Sequence, residues 1–202
     1  MYRRPPRPPP GCRRVVGVDP SSGKSPWGVA ALRKAGGGWV VEEAHQARPE
    51  DAYSILVEVA AGACLACIDA PITLNRGEAR GLRPHERASL RFGFRLLPMG
   101  FPGMRELTRV GLALALSLWE AGVLPCETHP RGAAVYGGLR GLVPGRISRL
   151  GPHVVDAVIA AYVAAMLVDG KAVSLCSRVG CIVVPLGKIE PLKGRREGST
   201  DR

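Results

Sequence analysis

The longest apolar run of this 202-residue chain, Ala157–Val168, starts directly after Asp156 and falls well short of the roughly 20 residues that cross a bilayer. It is expected to be part of a core helix over Pro152–Val168, with Pro152 suited to the first turn and Gly170 to the C-terminal cap. Met1–Gly11 is rich in Arg and Pro and holds no apolar stretch. Neither a signal peptide nor an anchor is read there, and the expected location is the cytoplasm. A chain of this length can bury roughly 70% of its unfolded surface, enough for one real core.

Ahead of that helix the apolar period changes. Short runs at Arg14–Asp19, Trp27–Arg33 and Trp39–Ala44, separated by Pro20–Pro26 and Gly36-Gly37-Gly38, predict an antiparallel meander of three strands. Ala52, Ile55, Leu56, Val59 and Ala60 predict a helix within Pro49–Ala61, stopped by Gly62. Cys64–Asp69 reads as a fourth strand, and a helix followed by a strand implies a parallel crossover into the same sheet. Residues 70–122 break the rhythm with a helix at Pro84–Phe92 ended by Gly93, a Pro/Gly/Met segment, and a helix at Arg105–Ala121; they read as a helical insertion. Val123–Glu127, stopped by Pro130, and Cys181–Pro185 complete the strands. The expected class is α/β, a mixed sheet flanked by helices, in one domain over residues 15–187.

The ends differ in composition. Residues 1–14 read as a disordered Arg/Pro-rich tail and residues 188–202 as a flexible basic tail. More than half of the net charge of +11 lies in these two segments, so the folded body is only mildly basic. Such charge alone is weak support for a nucleic-acid partner. Six cysteines are too sparse for a small disulfide-stapled scaffold, and Cys64-x-x-Cys67 has no second pair at zinc-ribbon spacing. Cys64 and Cys67 are therefore expected to be buried structural residues.

Four acids stand at the ends of these elements. Asp19 closes the first strand, Asp69 the fourth and Glu127 the fifth, while Asp156 lies early in the apolar helix. Singly, each reads as a turn or helix-end residue. Together, three carboxylates at strand ends and one from a helix can converge where open α/β sheets bind ligands. Gathered carboxylates repel one another and call for a hard divalent cation, Mg²⁺ or Mn²⁺.

The order Gly17-Val18-Asp19, Trp27-Gly28-Val29-Ala30, Ile68-Asp69-Ala70-Pro71, Glu127-Thr128-His129-Pro130 and Asp156-Ala157 resembles a domain-of-unknown-function family of predicted nucleases with a ribonuclease H-like fold. Arg83, Arg87, Arg91 and Gly93 are similar to its inserted helix, and the resemblance runs from roughly Val15 to Gly187. It implies that Asp19, Asp69 and Asp156, with Glu127 as an additional acid, bind two divalent cations. Two such ions roughly 3.5–4 Å apart would activate water and stabilise the leaving oxygen of an RNA or DNA phosphodiester. His129 and His153 are candidates to move a proton, His153 standing three residues before Asp156.

Arg83, Arg87 and Arg91 recur every fourth residue and would share one helix face as a phosphate contact, unless that face is merely solvated. Lys24 is placed at the mouth of the site. Gly23-Lys24-Ser25 is not a phosphate-binding loop, because that motif needs Gly where Val18 stands. Two alternatives follow from the same residues. One is a nucleic-acid-binding module without chemistry. The other is a relative of the actin-like ATPases and phosphotransferases, disfavoured because no second Gly-rich loop follows the late acids.

Overall fold

Val15, Val16 and Val18 of β1 (Arg14–Asp19) have no exposed surface, which places this strand in the middle of a sheet covered on both faces. The computed structural model describes residues 5–74 and 81–188; the basic tail expected beyond Lys188 lies outside the described residues. Strand β1 pairs antiparallel with β2 (Trp27–Ala35), and β2 pairs antiparallel with β3 (Gly38–Ala47). On its other side β1 runs parallel to β4 (Leu65–Ile68), which runs parallel to β5 (Leu124–Glu127). The order β3-β2-β1-β4-β5, with three antiparallel strands and a parallel half, is the mixed sheet flanked by helices that the sequence led us to expect.

Period-two alternation divides the core into two layers. Val15, Leu32, Leu65 and Cys67 pack with helix α6 (Pro152–Val168). Val16, Val18, Ala66 and Ile68 form the other layer with residues of α1 (Ala52–Ala60) and α3 (Met104–Glu120). Helix α6 is buried nearly all round, as its lack of a polar stripe requires. Its approach to the sheet depends on two glycines. A Cβ on Gly17 would stand 2.0 Å from the Ala157 carbonyl oxygen, and one on Gly28 would stand 1.9 Å from that of His153.

Several segments differ from the sequence-based expectation. Pro130 does not merely stop β5: it opens helix α4 (Pro130–Gly137), at the first-turn position where proline is pre-organised. The Pro84–Phe92 segment divides into α2 (Pro84–Ser89) and a 3₁₀ turn at Leu90–Phe92. A short helix α5 spans Gly145–Ser148. Cys181–Pro185 does not extend the main sheet; as β7 it forms a separate antiparallel ribbon with β6 (Ala172–Cys176).

The cysteines require a further correction. All six are paired, as Cys12–Cys64, Cys67–Cys126 and Cys176–Cys181. Partners far apart in sequence meet because β4 lies beside β5 and the segment before β1 runs beside the start of β4. That segment packs on the body through Pro6 and Cys12, both buried, rather than trailing as a tail from residue 5 onward. Among the described residues, no helix is long and apolar enough to cross a membrane.

Candidate metal centre

Backbone pairing brings the first two acids together. The Asp69 amide donates to the Val18 carbonyl at 2.8 Å, prolonging the β1–β4 ladder so that Asp69 stands beside Asp19. The third comes from α6. Its contact with Gly17 and Gly28 holds Asp156, the helix's fifth residue, above the end of β1. One carboxylate oxygen from each of Asp19, Asp69 and Asp156 lies within 4.8 Å of the other two.

This proximity costs free energy while the carboxylates carry their full charge. Burial, and next the charge of Asp156, push Asp19 up from 3.8 to about 8. Burial also raises Asp69 well above its ordinary value, reinforced by Asp19 and Asp156. Arg131 offsets part of the repulsion, its Nε–H donating to Asp156 Oδ2 at 3.3 Å. His153 Nδ1 hydrogen-bonds Asp19 Oδ2 at 2.7 Å. Three hard anionic oxygens converging from different elements are a donor set suited to Mg²⁺ or Mn²⁺, which would relieve the strain that protonation otherwise removes.

Glu127 stands outside this triad. Arg83 Nη1 donates to Glu127 Oε2 at 3.0 Å, Arg83 Nη2 donates to Oε1, and the Ile72 amide donates to Oε2 at 3.0 Å. Both carboxylate oxygens are thus committed. Burial raises the pKa of Glu127, and Arg83 partly opposes that rise. The expectation that Arg83 touches substrate is corrected by its position: it has no exposed surface and also binds Glu86 Oε1 at 2.6 Å and the Thr73 carbonyl at 3.1 Å. The i,i+3 spacing of Arg83 and Glu86 was the sequence signal for this pairing. Arg87 and Arg91 are exposed, so the three arginines do not form one stripe.

A cleft of about 840 Å³ opens over the carboxylates, with Asp19, Asp69, His129 and Arg131 on its polar side and Leu97, Leu107 and Val135 on its apolar side. His129 Nε2–H donates to the Arg95 carbonyl at 2.9 Å, its ring meets Phe94 edge-on, and burial lowers its pKa. Lys24 is exposed in the turn that follows Asp19. Arg131 was missed by sequence reasoning, although it directly follows Glu127-Thr128-His129-Pro130. Only the folded chain brings it to Asp156.

Comparison with known proteins adds little to this geometry. No family model matches the chain, and no curated protein matches it. Among solved structures, T. thermophilus RuvC in complex with Holliday junction substrate is similar over 83% of this chain and 99% of that one, with a TM-score of 0.49 and 13% identity.

Proposed function

We propose that this chain is a divalent-metal-dependent nuclease that hydrolyses phosphodiester bonds of RNA or DNA. The observation that carries the reading is the meeting of Asp19, Asp69 and Asp156, from β1, the end of β4 and α6, with Asp19 and Asp69 lining an open cleft. Mg²⁺ or Mn²⁺ held there would supply a water activated near neutral pH and would stabilise the leaving oxygen. The three aspartates would be the ligands. His153 fixes the Asp19 carboxylate through Nδ1, and the Arg83–Glu127 pair supports the wall beside Asp69. His129, kept neutral by burial, suits accepting a proton rather than donating one. Arg91 and Lys24 are exposed cations that would meet phosphates along a bound strand, and Arg87 is exposed on the same segment as Arg91.

Cleavage of RNA and DNA oligonucleotides with Mg²⁺ or Mn²⁺ tests the proposal. Asp19→Asn and Asp69→Asn should abolish cleavage while leaving the circular dichroism spectrum unchanged. Full activity in purified Asp69→Asn protein would overturn it. Salt-sensitive binding with no product under either cation would instead establish a non-catalytic binding module.

A further inference from the structure

Arg131 occupies an unusual position among the cations of the cleft. It is the second residue of α4, immediately beyond β5, and its side chain is 76% exposed. Its Nε–H reaches Asp156 Oδ2 at 3.3 Å, a single long contact rather than the two-pronged fork that guanidinium and carboxylate form at their best. Neither terminal nitrogen has a hydrogen-bond partner among the described residues. Its charge nevertheless lowers the proton affinity of both Asp19 and Asp69. Arg83 provides the contrast, since its guanidinium is buried and spread over Glu127 and Glu86 and cannot be released.

We infer that Arg131 is an exchangeable counter-ion of the triad, paired with Asp156 in the metal-free protein and released to a substrate phosphate oxygen when a divalent cation takes over that carboxylate. The inference rests on the metal-dependent nuclease reading and adds to it a residue that contacts substrate. Arg131 is exposed and makes a single hydrogen bond, so its guanidinium returns to solvent at little cost, while the dication takes over the charge of the buried Asp156. A dication at Asp156 repels the guanidinium, whose planar fork then suits two oxygens of a phosphodiester at the mouth of the same cleft.

Calorimetric titration of Mn²⁺ alone into full-length wild-type, Arg131→Gln and Arg131→Lys protein tests the exchange without reference to turnover. Arg131→Gln removes the competing charge and should tighten Mn²⁺ binding by about 3- to 10-fold. Arg131→Lys keeps the charge and should bind Mn²⁺ much as wild type does. In oligonucleotide cleavage both variants should raise KM, Arg131→Gln by about 10-fold or more, because both lose the fork. A merely structural role would weaken both properties together. Mn²⁺ affinity unchanged or weakened in folded Arg131→Gln protein would overturn the exchange, and tightened Mn²⁺ binding with an unchanged KM would overturn the phosphate contact. If wild-type protein binds no Mn²⁺, the nuclease reading itself fails and this inference fails with it.

Discussion

At the scale of single residues, the site is built from charges whose free energies depend on one another. Asp19 illustrates the sign of that dependence. Its folded-state pKa lies near 8 against an ordinary 3.8, so the folded protein holds a proton that the unfolded chain has already released. Below about pH 4 both states are protonated and there is no penalty. From there to about pH 8 metal-free protein should lose stability steadily, as urea midpoints in a chelator would show. Asp19→Asn should flatten that slope, and Mn²⁺ should restore stability at pH 8; equal slopes for the two proteins would refute the account. Glu127 carries a different prediction. Glu127→Gln or Arg83→Met leaves the remaining partners of a buried ion pair uncompensated, and each should cost about 3–5 kcal/mol in chemical denaturation. Combining the two should cost less than their sum, since neither charge of the pair is then left facing an uncharged partner.

At the scale of elements, the contact of α6 with β1 and β2 sets the geometry of the triad. Gly17 and Gly28 let the helix backbone lie directly on the strands, within the space a side chain would fill. Because the obstacle at each is a helix carbonyl rather than a movable side chain, alanine there must push α6 away from the sheet. Gly28→Ala should therefore destabilise the protein by about 1–3 kcal/mol. It should also weaken Mn²⁺ binding, because the displaced turn carries His153 and, one turn further on, Asp156. Destabilisation with unchanged cation affinity would show that the triad tolerates helix movement. The Gly17-Val18-Asp19 and Trp27-Gly28 motifs thus serve the site through packing as well as through the acid itself.

At the scale of the whole molecule, two of the three disulfides fasten segments that the main sheet brings together, and the third, Cys176–Cys181, closes the β6–β7 ribbon. Cys67–Cys126 ties β4 to β5, one or two residues before Asp69 and Glu127, and Cys12–Cys64 closes the N-terminal segment onto the body. Closing loops of 52 and 59 residues limits the unfolded chain, so full reduction should lower stability by about 2–5 kcal/mol per bridge. Thermal melts with and without reductant, with thiol counting by mass spectrometry, measure this; identical melts of fully reduced and oxidised protein would contradict it. Much of the architecture was legible from local pattern. The positions of β1 to β5, α1, α3 and α6, the meander, the crossover and the acids at element ends all follow from apolar period and from punctuation by Gly and Pro, which short stretches of chain dictate, whereas α4, α5 and β6 were not read. The partners of those residues were not legible, because they depend on which strands become neighbours and on how closely α6 approaches. Arg83 and Arg131 look alike in the sequence, yet one is a buried strut for Glu127 and the other an exposed cation beside Asp156. Periodicity reports which face of an element is buried; long-range packing alone decides which charge meets which.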